Sequence, residues 1–136
     1  MSYILDTNIV TAIVKKNERI AEKLEEVKFE KKELFISCIT YYEVKRGLLA
    51  VNATRQLSSF DKFCQKVTLL FLDSLEIIER ASTIHADLKQ RGRIIQDADI
   101  LIAATAITKN LTLVSDDSDM LRIPGLTVEN WLRTSL

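Results

Sequence analysis

The amino-acid sequence predicts an α/β fold: one domain over residues 1–136, with a mainly parallel β-sheet flanked by helices on both faces. Three observations carry that prediction. Strand and helix signals alternate along the whole length, with no repeat and no linker. At 136 residues, 47% of them hydrophobic, the chain is long enough to bury a core without staples. Three short apolar runs lead into acids, the pattern expected where strand ends share one edge of a parallel sheet.

The elements follow in order. Ser2 to Leu5 reads as a strand running into Asp6, after which Thr7 or Asn8 is placed to cap a helix bearing Ile9, Val10, Ile13 and Val14. Ile20, Leu24 and Val27, at four- and three-residue spacing, mark a second helix. Leu34 to Ile36 is the next strand. A helix is expected from Thr40 to about Gly47, and an amphipathic one through Leu57, Phe60 and Cys64. Val67 to Leu72 is β-rich and reads as a buried strand. Leu75, Ile78, Ile84 and Leu88 outline a helix ending near Gly92. The segment from Ala98 to Ile107 is apolar nearly all round, so it is a buried helix. Leu111 to Val114 is a strand, Pro124-Gly125 a turn, and Leu126 to Val128 a short last strand.

Composition excludes several classes. Net charge is zero, so a general electrostatic pull toward nucleic acid is absent. RNA contact would come from local clusters such as Lys45-Arg46 or Lys89, Arg91 and Arg93, which equally suit solvated helix ends. Cys38 and Cys64 lie in apolar settings without CxxC spacing and read as buried thiols in a reducing compartment. No apolar run is long enough to cross a bilayer, and no leader pattern opens the chain, so a cytoplasmic location is expected. The single histidine, His85, excludes a nuclease that uses two histidines as acid and base. Phosphate-binding glycine loops and a GxSxG elbow are absent, and neither cysteine has an activating neighbourhood.

The acids have local explanations. Thr40 and Glu43 fit a capping box, Asp97 fits an N-cap, and the first-turn Asp99 gains about 0.3–1 kcal/mol from the helix dipole. Asp73-Ser74-Leu75-Glu76 is another capping pattern, and at least one of Asp116, Asp117 and Asp119 suits turn chemistry. Jointly, Asp6, Glu43, Asp99 and the Asp116/Asp117 pair would meet at one sheet edge. Carboxylates gathered there suit a hard divalent cation such as magnesium or manganese, which can polarise a phosphodiester and lower the pKa of a water.

Four fragments resemble a known family. Tyr3-Ile-Leu-Asp-Thr-Asn8, Ile36-Ser-Cys-Ile-Thr-Tyr-Tyr-Glu43, Asp97-Ala-Asp-Ile-Leu-Ile-Ala-Ala104 and Val114-Ser-Asp-Asp-Ser-Asp119 are similar to PIN-domain ribonucleases, more narrowly to VapC toxins of toxin–antitoxin pairs. Ile123-Pro-Gly-Leu126 and Glu129-Asn-Trp131 continue the likeness to the end of the chain. The resemblance implies a single PIN domain and makes Asp6, Glu43, Asp99 and Asp117 the catalytic and metal-holding acids, with Asp116 as rival to Asp117. Asn8 and Thr40 would orient carboxylates or water, Ser115 would line the site, and Met120 stands where relatives often carry Phe. It also implies a magnesium- or manganese-dependent endoribonuclease cutting tRNA or rRNA loops, a VapB-type antitoxin partner and a homodimer; Tyr41, Tyr42 and the helix from Asn52 suit its surface and equally suit ordinary core. Two other classes remain in view: a catalytically silent PIN-fold binding module, and a receiver-like phosphotransfer domain needing a lysine near the phosphate, for which Lys109 is the one candidate.

Overall fold

The computed structural model describes residues 2–133. Five strands, β1 (Tyr3–Leu5), β2 (Leu34–Ser37), β3 (Thr68–Leu70), β4 (Thr112–Val114) and β5 (Val128–Glu129), form one sheet in the order β3-β2-β1-β4-β5. All four pairings are parallel. The helices are α1 (Thr7–Val14), α2 (Glu18–Phe29), α3 (Cys38–Ala50), α4 (Thr54–Cys64), α5 (Leu75–Gln90) and α6 (Asp97–Thr108). The α/β class and the parallel sheet are as the sequence predicts.

Helices cover both faces, so the central strands are buried on each side. Alternation within β1 shows this: Ile4 packs with α5 and α6 residues such as Ile84 and Ile102, whereas Tyr3 and Leu5 face Ile9, Ile20 and Phe60. From β1 the chain steps outward to β2 and β3, then returns past β1 to β4 and β5. The reversal makes a crevice at the carboxyl ends of β1 and β4, where ligands bind in open parallel sheets.

Several local expectations need correction. Asp6 itself, not Thr7 or Asn8, caps α1. The third helix starts at Cys38 with Ser37 as cap and runs through Gly47 to Ala50, so Thr40 and Glu43 form no capping box. Gln96 occupies the N-cap position of α6 and Asp97 is its exposed first residue, so Asp97 is not the cap. Position β3 is a short, half-covered edge strand instead of a buried Val67–Leu72 run, and Phe71 beyond it is exposed. The buried face of α5 contains Ile77, whereas Leu75 and Ile78 are exposed. The last strand lies one to two residues later than Leu126–Val128, and the helix placed from Asn52 begins at Thr54. Those misses share a cause: cap identity and strand coverage depend on neighbours distant in sequence.

Five helices end alike, with a left-handed residue just past the helix whose N–H groups close back onto the last turn. After α5 this is Gly92, with bonds of 3.0 Å from Gly92 N to Lys89 O and 2.8 Å from Arg93 N to Leu88 O. Asn52 and Asn110 serve α3 and α6. After α1 and α2 the position is held by Lys16 (φ 62°) and Lys31 (φ 57°), where a side chain costs about 1 kcal/mol over glycine.

Candidate active site

Asp6 follows β1 directly, and β1 pairs with β4 so that Leu5 opposes Val114. That register sets Asp6 beside Ser115. Asp6 is 2% exposed. Its Oδ1 accepts from the Thr7 N–H at 2.8 Å, and its Oδ2 accepts from the Ser115 hydroxyl at 2.7 Å. Burial pushes its pKa up foremost; the bonds from Ser115 and Thr7 pull against that, and the charges of Asp117 and Glu43 add to the rise.

Asn8 and Ser115 knit the two strand ends together. The Asn8 amide donates toward Asp6 Oδ2 (3.5 Å) and Ser115 Oγ (3.4 Å), while its oxygen accepts from the Asp116 N–H at 3.0 Å. Ser115 Oγ in turn accepts from the Asp117 N–H at 3.0 Å. Neither side chain faces the reacting centre as an acid; both hold Asp6 and the Asp116-Asp117 loop in place.

Glu43 reaches the same edge from α3. The Thr7 hydroxyl donates to its Oε1 at 2.7 Å and lies 3.2 Å from Thr40 Oγ1. Thr40 is fully buried and so supports Thr7, which sequence reasoning treated only as a cap. The Asp-Thr-Asn run was the available signal. Arg46, an exposed side chain stacked on Tyr42, stands 4.0 Å from Glu43 Oε2.

Asp99 arrives in the first turn of α6 and lines a shallow cavity of about 510 Å³ with Ile94, Ile95, Gln96, Asp117 and Asp119. Its carboxyl is pushed up to about 6, first by burial and then by the charges of Asp6, Asp117, Glu43 and Asp119. Five acids thus act on one another across elements that are far apart in sequence.

The two neighbouring aspartates after β4 diverge. Asp116 is turned to Asn130 (2.8 Å) and Arg133 (3.0 Å), so its charge is already paired. Asp117 accepts the Asp119 N–H at 2.9 Å and raises the pKa of both Asp6 and Asp99. Asp119, one of the three aspartates among which the sequence expects turn chemistry, acts on Asp99 and pairs with Arg122 at 3.1 Å. Asp97 is exposed.

Among the described residues no three His, Cys, Asp or Glu side chains are already drawn into a metal-ligand cluster. The donor set is nevertheless all carboxylate, hydroxyl and amide oxygen, which fits a hard divalent cation. A cation would reverse the repulsion that raises Asp99. Lys109 sits at the C-terminal end of α6, paired with Asp73 at 3.5 Å, and so is not a phosphate-side lysine for Asp6.

Residues 3–126 match the family model of the PIN domain. This chain belongs to the PIN-domain family. Ribonuclease VapC2 of Rickettsia felis is 32% identical, the alignment covering 96% of this chain and 98% of that one. Ribonuclease VapC2 of Haemophilus influenzae is 30% identical over 97% of this chain and 99% of its own. Among solved structures, VapBC2 from Rickettsia felis bound to a promoter DNA fragment matches this PIN domain with a TM-score of 0.88 at 30% identity, covering 96% of this chain and 99% of that one. VapBC-1 from nontypeable Haemophilus influenzae matches at 0.85 and 27% identity, covering 98% and 100%. Among the described residues no helix is long and apolar enough to cross a membrane.

Proposed function

We propose that this chain is a divalent-metal-dependent endoribonuclease and the toxin of a type II toxin–antitoxin pair. The observation that carries the reading is the convergence of Asp6, Glu43, Asp99 and Asp117 at the crevice beside β1 and β4, with the Asp99 carboxyl pushed up to about 6 first by burial and then by its acidic neighbours. Names of the relatives support the activity, since both are ribonucleases. Solved neighbours in complex as VapBC support a VapB-type partner.

In this reading Asp6, Glu43, Asp99 and Asp117 hold magnesium or manganese. The bound ion would supply Lewis acidity toward a phosphodiester and a water of lowered pKa. The protein residues set the geometry. Ser115 and Asn8 hold Asp6 in one orientation, Thr7 fixes Glu43, and the α6 N-terminus favours the charged form of Asp99. Burial around Asp6 excludes competing solvent on its inner side. Substrates are single-stranded or looped RNA, such as tRNA or rRNA loops, met in the cytoplasm. A guanidinium from the antitoxin suits the acidic edge because it pairs bidentately with carboxylates. A homodimer is part of the same reading, and Tyr42, 60% exposed, is available to it. Tyr41 is half-buried against Phe60 and belongs mainly to the core.

The test is cleavage of total cellular RNA by purified protein with manganese or magnesium, against EDTA and against Asp6→Asn. Discrete fragments that need metal and vanish in the variant are expected. Equal cutting by Asp6→Asn, or none by the parent, would move the silent binding module to the front.

A further inference from the structure

The positive charge named in the sequence as a route to RNA is largely spent. Lys45 pairs with Asp61 at 3.2 Å, Arg46 stands by Glu43, and Arg91 bonds Asp87 and the Arg122 carbonyl. Unspent positive charge lies elsewhere. A pocket of about 760 Å³ opens between the C-terminal ends of α1, α2 and α4 and the starts of β2 and β3. Lys16, Lys28, Lys31, Lys32, Lys62 and Lys66 line it, against Glu25 and Glu33. Of the six, only Lys32 forms an ion pair among the described residues, with Glu30 at 2.8 Å.

Helix C-termini attract cations, so one lysine per helix end needs no ligand. That attraction does not account for Lys16 and Lys31. Both hold the left-handed position that Asn or Gly fills after α3, α5 and α6. Lysine there is unfavourable for the backbone, and its charge is what it contributes.

We propose that this pocket binds the phosphate backbone of the RNA substrate, at the edge of the sheet opposite the acids. The inference rests on the nuclease reading above and names where that substrate is held. An edge crowded with Asp6, Glu43, Asp99, Asp117 and Asp119 repels phosphates, so backbone affinity must come from another surface. The distance is short: α1, eight residues and about 12 Å long, runs from Thr7 at the acids to Val14, two residues before Lys16 at the pocket. A groove of about 180 Å³ lined by Thr11, Val14, Lys15, Glu43, Gly47 and Gln56 lies along that path. Its lining includes both Glu43 and Lys15, the neighbour of Lys16. Flexible ammonium groups suit phosphates without reading sequence, leaving base choice to the cleavage edge.

The test uses Lys16→Asn/Lys31→Asn/Lys66→Gln, built in an Asp99→Asn background so that bound RNA stays intact, with binding read by fluorescence anisotropy in EDTA. Single-stranded RNAs of about five and about twenty nucleotides serve as probes, bracketing one backbone-tracking site. Affinity for the longer RNA should fall about tenfold at low salt, and the slope of log K against log salt should shrink by about 2, three contacts at ~0.7 each. The shorter RNA should lose less. The melting temperature should hold or rise, because asparagine suits the left-handed positions. Lys23→Gln/Arg80→Gln/Lys109→Gln removes the same charge outside the pocket and should leave the longer RNA bound. An unmoved affinity, an equal loss in that control, or tighter competition by polyglutamate than by RNA would overturn the pocket's assignment. Cleavage of both RNAs by the parent protein with manganese is measured in parallel. No cleavage there sinks the nuclease reading, whereas cleavage with lysine-independent binding sinks only the pocket.

Discussion

Asp99→Asn isolates the energetic cost of assembling the acidic edge. The side chain keeps its shape and loses its charge. In the folded protein Asp99 titrates near 6 in place of 3.8, chiefly through burial and then through four other acids. A rise of that size corresponds to about 3 kcal/mol at full strength. The carboxylate is partly open to water, so screening reduces this to about 1–2 kcal/mol. The α6 dipole works the other way by about 0.3–1 kcal/mol, which leaves a net gain of about 1 kcal/mol for the amide.

The direction with pH follows from the same numbers. A carboxyl group raised by folding favours the folded state when protonated; that benefit is complete below 3.8 and lost as pH rises through about 6. Asp99→Asn should therefore be more stable than the parent by about 1 kcal/mol at pH of about 7.5 in EDTA, and the gap should close as pH falls to about 4. Urea denaturation at both pH values measures it, and a melting shift of about 3–5 °C should accompany the gap at the higher pH. Added manganese should reverse the order by stabilising the parent alone. A variant less stable than the parent at the higher pH, or a gap that ignores pH, would refute the account of a carboxylate strained by burial and by like charge.

Three more outcomes are expected. Ser115→Ala removes the hydroxyl bonded to Asp6 at 2.7 Å and the acceptor of the Asp117 N–H; manganese affinity by calorimetry and RNA cleavage should each fall about 10–100-fold. Asp117→Asn should lower cleavage by at least about tenfold, whereas Asp116→Asn, whose carboxylate is taken up by Asn130 and Arg133, should change it less than about threefold; comparable losses would remove the distinction between the two. Phe60→Ala empties a fully buried site packed on Tyr41 and should cost about 3–5 kcal/mol in urea denaturation.

Much of the fold and site was legible in the residues. The apolar run Tyr3-Ile4-Leu5 ending at Asp6 specifies a buried strand with an acid at its tip, and the nearly all-apolar Ala98–Ile107 stretch specifies a buried helix. Asp6, Asp99 and Asp117 could be named because each stands at the end or start of such an element, and Glu43, inside α3, because the four follow an order that resembles a known family. Less legible were the supports. Thr7 reads as a cap until Glu43 is brought beside it, and the exposure of Leu75 and Ile78 depends on how α5 lies on α6. Asp116 and Asp117 are adjacent and chemically identical; only the positions of Asn130 and Arg133 separate them.

By itself, the sequence determined the α/β alternation, the parallel sheet and the acids at its carboxyl edge. Those features are written in local periodicity and in residue chemistry at element ends, which neighbours within a few positions decide. Tertiary structure decided the strand order, which acids are paired and which are not, and where positive charge gathers. Lys16, Lys31 and Lys66 follow three separate helices and meet only because β2 pairs with β1 on one side and β3 on the other. Charge in a folded chain acts through distance in space, and pairings between strands dozens of residues apart set that distance.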